Sequence, residues 1–358
     1  MQAARPTSRG AIRDGTPGGA AAPGYDLGPR PVTTLQDIVA AHDRIRPLVH
    51  RTPVATCGAL DALAGRRLVF KCENFQKVGA FKFRGACNAV FRLSEEAARR
   101  GVVTHSSGNH AQALALAARL RGVPATIVMP ENSPRVKVDA VRGYGAAIVF
   151  CAPTQQARER AASELVAASG ATLIPPYDHA DVIAGQGTLA LELFEQRPDL
   201  AGVIVPVGGG GLIAGVAIAA KGLRPGVRII GAEPAEADDA YRGKLSGRRQ
   251  PALATATIAD GLRTALGDLT WPVVRDCVDE IVTVSETAIR KAMRLVFERL
   301  KLVIEPSAGV GVAAALDERI RCLPGLDPLG VVLCGGNVDL DGLFGERDEQ
   351  PVTRIAPT

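Results

Sequence analysis

Three short stretches hold the residues whose types and spacing could do chemistry. The first is Gly208-Gly209-Gly210-Gly211, which follows the apolar run 201–207 and opens another at Leu212. A strand that runs into consecutive glycines and then a helix presents bare backbone N–H groups at the positive end of that helix. Such a turn is an anion cradle, suited above all to phosphate. The same stretch also fits a dinucleotide fingerprint, because Gly209, Gly211 and Ala214 satisfy G-x-G-x-x-A and Glu233 closes an apolar run about 20 residues later. Taken alone, it leaves phosphate and NAD both open.

The second stretch is His105-Ser106-Ser107-Gly108-Asn109-His110. Hydroxyls, a side-chain amide and free N–H groups at a helix start suit a carboxylate ligand, although a plain Ser/Asn cap uses the same residue types. In the third, Lys82 stands between Phe81 and Phe83. Desolvation there lowers an amine's pKa and makes it nucleophilic toward an aldehyde, whereas most lysines are solvated surface charges.

The elements that position these residues follow from the rest of the chain. At 358 residues, 47% hydrophobic and 22% charged, it is a globular chain of two domains or one large α/β unit. Its formal charge is +5 without dense basic runs and its aromatic content 4%, so a nucleic-acid stacking surface is not expected. Apolar runs are far shorter than a bilayer span, so no membrane segment is expected either. Seven cysteines without C-x-x-C spacing indicate neither a disulfide framework nor a zinc cluster, and a reducing cytoplasm is the expected location.

Residues 1–31 lack the apolar core of a secretory signal and read as an N-terminal tail. Thr34-Leu35-Gln36-Asp37 then reads as the capped start of a helix that runs until Pro47. Short β-branched runs at 68–70, 101–104, 125–128, 147–149, 202–205, 227–230 and 330–333 alternate with Ala/Leu-rich stretches. That alternation predicts an α/β protein of two lobes, each a mainly parallel sheet covered by helices. The site is expected between them, at the carboxyl ends of the strands.

The three stretches occur in one order together with Ile183-Ala184-Gly185-Gln186-Gly187-Thr188 and Cys334-Gly335-Gly336-Asn337. From about residue 33 to 345 the chain thereby resembles the serine/threonine dehydratase and serine racemase family of fold type II pyridoxal-phosphate enzymes, which have the tryptophan synthase β-like fold. The stretches around Ala232-Glu233-Pro234, Ile258-Ala259-Asp260-Gly261 and Ile304-Glu305-Pro306-Ser307 look closest to the racemases. The NAD reading becomes a distant alternative, since it explains neither Lys82 nor the second loop.

The resemblance implies a large cofactor-binding domain of residues 32–100 plus 179–345, a small domain of 101–178, and a C-terminal tail at 346–358. It implies pyridoxal 5'-phosphate held covalently by Lys82, its phosphate on Gly208, Gly209, Gly210, Gly211 and Leu212, Asn109 against its hydroxyl, and Cys334 at its ring nitrogen. Racemases of this family carry serine at that last position and some dehydratases cysteine. Ser106, Ser107, Gly108, Asn109 and His110 would hold the substrate carboxylate, and Ser107 would be the second catalytic group opposite Lys82. Glu233, the carbonyl of Ala237 and Asp239 match a divalent-metal site for Mg2+, or Ca2+ or Mn2+. Lys77, Gln112, Tyr144, Lys301 and Asn337 match positions that bind ATP as an effector, although Val78 replaces a hydroxyl residue there. Tyr177 also departs from the racemases, in Pro175-Pro176-Tyr177-Asp178-His179, a phrase closer to catabolic dehydratases.

The implied activity is β-elimination of ammonia from L-serine or L-threonine with racemisation of serine, in a cytoplasmic homodimer. A threo-3-hydroxyaspartate ammonia-lyase on the same scaffold is the rival, and a non-catalytic cofactor-binding protein a distant one. Little chain follows Asn337, so the regulatory domain of biosynthetic dehydratases, and feedback inhibition by isoleucine, are not expected.

Overall fold

The computed structural model describes residues 33–339 apart from 134 and 254, so the tails expected at 1–31 and 346–358 lie outside the described residues. The first helix is Leu35–Ile45. It begins where the capping pattern places it, with the Asp37 amide donating to the Thr34 hydroxyl and the Thr34 amide to the Asp37 carboxylate.

Ten strands follow among the described residues: β1 (Val54–Ala55), β2 (Leu68–Cys72), β3 (Val102–His105), β4 (Ala125–Pro130), β5 (Ala147–Cys151), β6 (Thr172–Leu173), β7 (Gly202–Pro206), β8 (Arg228–Pro234), β9 (Glu280–Val284) and β10 (Leu329–Leu333). They form a six-stranded sheet in the order β1-β2-β10-β7-β8-β9 and a four-stranded sheet in the order β5-β4-β3-β6. β1 is antiparallel to β2, and all other pairings are parallel. The expected α/β class with parallel sheets is what the chain adopts.

All seven expected strand runs are strands. β1 and β6 are two residues each, too short to show any period. β9 lies at the sheet edge; its Ile281-Val282-Thr283-Val284 is a β-branched run as plain as those of the seven expected strands, and the expected set omits it. None of the described helices is long and apolar enough to cross a membrane.

Parallel strands deliver their loops to one edge. After β2 the chain reaches Lys82, after β3 residues 106–109, after β6 residues 174–179, after β7 the four glycines, and after β10 Cys334.

Candidate active site

Lys82 opens the helix Lys82–Arg92. Its Nζ donates to the carbonyl of Pro176 at 2.7 Å and lies 5.1 Å from the centre of the Phe81 ring. Burial is the main cause that lowers its pKa to about 8, partly countered by Cys334 and Glu305. An amine in that range carries a minor but usable neutral fraction near physiological pH, which a nucleophile or base needs.

The next residue along, Tyr177, ties this amine to the glycine loop. A Cβ on Gly209 would come within 2.3 Å of the Tyr177 ring, and Gly210 has φ +85° with a Cβ position 2.6 Å from Leu266 Cδ2. No side chain fits at either position, so the loop stays a bare run of amides leading into the helix Gly211–Leu223. A phosphate-bearing aldehyde fits these residues: the cradle would take the phosphate, and the partly neutral amine the aldehyde.

The loop after β10 packs against the residues before Lys82. Phe81 N donates to Cys334 O at 3.0 Å, and Gly336 N to Gly79 O at 2.9 Å. Asn337 Nδ2 donates both to Val78 O at 2.8 Å and to Asn109 Oδ1 at 2.9 Å. Val78 lies at φ +58°, a conformation costly for a β-branched residue, and the Asn337 amide caps its carbonyl.

Asn109, the first residue of the helix Asn109–Arg121, donates in turn to both carboxylate oxygens of Glu305, at 3.1 and 2.9 Å. The Cys334 thiol lies 4.0 Å from Glu305 Oε1. Burial pushes the Glu305 carboxyl up to about 7, the Asn109 hydrogen bonds opposing, and holds the Cys334 thiol well above its ordinary value. Cys334 is therefore a neutral thiol, able to donate a weak hydrogen bond but not a full positive charge.

Of the residues singled out by sequence, the structure brings together Lys82, Asn109, His110, Cys334 and the glycine loop. Ser106 and Ser107 are half-buried on the turn before Asn109. Glu233 and Asp239 are both buried, and Glu233 accepts from the amides of Ala240 and Tyr241 at 3.0 and 2.8 Å. Burial and the neighbouring Asp239 raise the Glu233 carboxyl, and burial raises Asp239 to about 6. Among the described residues no three His, Cys, Asp or Glu side chains gather as a metal cluster. A cation here would take two carboxylates, the Ala237 carbonyl and water, a donor set that suits Mg2+.

Sequence reasoning assigned no role to Glu305 or Arg84. Arg84 is fully buried and bridges Glu73 and Glu192, with four N···O distances of 2.8 Å, while Lys71 joins Glu192 at 2.8 Å. This neutral quartet fastens the helix that carries Lys82 to β2 and to the helix Ala180–Gln196.

Comparison with known proteins agrees with this geometry. A serine racemase of Arabidopsis thaliana is 53% identical over 313 residues, which cover 87% of this chain and 95% of that protein. The structure of maize serine racemase superposes with a TM-score of 0.86 at 49% identity, covering 87% of this chain and 96% of that one. The T.th. threonine deaminase structure gives 0.81 at 46% identity, covering 86% and 99%. Residues 45–335 match the family model described as pyridoxal-phosphate dependent enzyme, and with Lys82 beside a glycine cradle the chain belongs to that family of enzymes.

Proposed function

We propose that this enzyme eliminates ammonia from L-serine and L-threonine and interconverts the enantiomers of serine. The observation that carries the reading is that the residues leading into Lys82, whose amine has a lowered pKa, are hydrogen-bonded to the loop after β10, which also holds Asn109 through Asn337. Similarity to serine racemases over most of the chain and to a threonine deaminase supports both outcomes. Threo-3-hydroxyaspartate remains the rival substrate on the same residues.

When bound, pyridoxal phosphate supplies an electron sink that acidifies the substrate Cα–H. The turn before the helix at Asn109, where the Gly108 amide now donates to Ser106 Oγ at 3.3 Å, would hold the substrate carboxylate at the positive helix end. Neutral Lys82 accepts the Cα proton. Loss of the β-hydroxyl as water, and later hydrolysis of the C–N bond, give keto acid and ammonia. Ser107 is, in this reading, the second acid/base group, which returns a proton to the face that Lys82 does not serve and so inverts the centre.

In this reading residues 101–178 form a small domain set into a large one of 32–100 plus 179–345, and the protein works in the cytoplasm as a homodimer. All seven cysteines are free, in keeping with a reducing compartment. Adenine nucleotide acting through Lys77, Gln112, Tyr144, Lys301 and Asn337 is a further ligand of the same reading. It would compete with Val78 and Asn109 for the Asn337 amide.

Ser107→Ala is expected to keep ammonia release from L-serine within about ten-fold of wild type and to lower D-serine formation by about 10²-fold or more. Parallel keto-acid and chiral assays check this; equal loss of both activities leaves Ser107 as a carboxylate ligand only. Asp239→Ala is expected to weaken Mg2+ binding at the proposed site and to erase the rise in melting temperature that Mg2+ gives wild type. That rise is worth about 2.7 kcal/mol at one hundred times the dissociation constant. Calorimetry with and without chelator reads it, and no Mg2+ effect on wild type means the loop holds no metal.

A further inference from the structure

The His110 side chain is buried, with 2% exposure, and its Nε2 lies 2.9 Å from the carbonyl of Ile174. Burial, with Lys82 as the next cause, depresses its pKa to about 3, so the ring is neutral. A neutral imidazole has one donor and one acceptor. A carbonyl only accepts, so the proton is on Nε2, and Nδ1 is a buried acceptor without a partner among the described residues. An apolar ring of the same size would avoid that cost, which marks the Nε2–H as the reason for a histidine.

What it holds is a strut. Ile174 N donates to Val103 O at 2.9 Å, and Pro175 and Pro176 follow, with φ fixed and no N–H of their own. Beyond them the Asp178 carboxylate accepts from the amides of Asp268 and Leu269, at 2.9 and 2.8 Å. The segment is thus anchored at both ends, and from its middle the Pro176 carbonyl meets Lys82 Nζ at 2.7 Å.

We propose that the His110 side chain is a positioning residue for Lys82, fixing through Ile174 the proline strut whose Pro176 carbonyl aims the lysine amine. This rests on the reading of Lys82 as the base. An N–H donated to Pro176 turns the amine lone pair away from that carbonyl and narrows the directions from which it can take a Cα proton. The charged and titratable groups acting on Lys82 are Cys334 and Glu305, and on His110 they are Lys82, His105 and His179. Because His110 is neutral, its removal takes away no charge. A change in Lys82 titration must then come through the strut.

The test compares full-length wild type, His110→Phe and His110→Gln, since the glutamine amide reaches about as far as Nε2. Arylation of Lys82 by trinitrobenzenesulfonate before cofactor loading, mapped by peptide mass across pH, reads the amine's midpoint, expected at about 8 in wild type. Loss of the carbonyl acceptor destabilises the ammonium form, so the midpoint of His110→Phe is expected to fall by about one unit, while His110→Gln stays at the wild-type value. In the loaded enzyme, kcat for keto-acid release falls about ten-fold or more in His110→Phe at nearly unchanged KM, and recovers in His110→Gln. Should His110→Phe fail to fold, His110→Asn, whose amide stops short of Ile174, takes its place. An unmoved midpoint in the Phe or Asn variant, or equal displacement in Phe and Gln, overturns the proposal. Wild-type protein that releases no keto acid from any hydroxy-amino acid defeats the functional reading, while the arylation midpoints still decide the role of His110.

Discussion

Lys82→Ala is expected to release keto acid from L-serine at least about 10³-fold more slowly than wild type, because in the proposed reading one change removes both the covalent anchor and the base. Borohydride reduction of the loaded wild type should fix the cofactor on the peptide that contains Lys82, and the alanine variant should give no labelled peptide. Lys82→Arg should be as inactive, since a guanidinium stays protonated. The pH profile has a definite sign. Burial lowers the amine to about 8, so below that value the neutral fraction, and with it the rate of proton abstraction, rises about ten-fold per pH unit and then levels off. Labelling of a different lysine, or substantial turnover in Lys82→Ala, would remove Lys82 from the centre of the site.

The second large effect is on stability. Arg84→Met is expected to lower unfolding free energy by about 3–5 kcal/mol, because it leaves the buried Glu73 and Glu192 carboxylates with only Lys71 to balance them. In wild type, burial pushes the Glu192 carboxyl up, but the hydrogen bonds and charges of Arg84 and Lys71 more than offset this and hold it below its ordinary value. Without Arg84 the sign reverses. The folded variant then binds protons more tightly than the unfolded chain, so its deficit should shrink as pH falls through the carboxylate range. Urea melts at two pH values read this directly. A variant as stable as wild type, or a deficit that grows on acidification, would show that the quartet does not fasten the lysine helix.

The elements that could be read beforehand are those whose signal is local. Lys82 between two phenylalanines, four glycines after an apolar run, and Ser106 to Asn109 at a helix start each mark a candidate within a dozen residues, but each also has a plainer reading, and only their common order, through the family resemblance, chose between them. Seven strands did so by unbroken β-branched runs. Glu305 and Arg84 could not be read this way. Glu305 is written as a carboxylate before Pro306 at a helix start, which everywhere else means a solvated cap. Only the arrival of Asn109 and Cys334 from remote parts of the chain makes it a buried acid. Likewise Arg84 gains its meaning from Glu192, more than one hundred residues away. Tyr177 stood out as a departure from the racemase pattern, but its contact with Gly209 depends on how the loops after β6 and β7 meet.

The pairing of β2 with β10 sets the order in which the nascent protein can mature. Residues 68–72 find their parallel partners only at 329–333, whereas the four-stranded sheet is complete once residue 173 has been made. On a ribosome adding roughly 5–20 residues per second, β2 waits some tens of seconds, in rough terms, with one apolar edge open. The local sheet can form during translation, while the six-stranded sheet closes only after β10 has left the exit tunnel. Chaperone dependence should therefore concentrate on β2 and β7, whose facing edges are joined only when β10 is made.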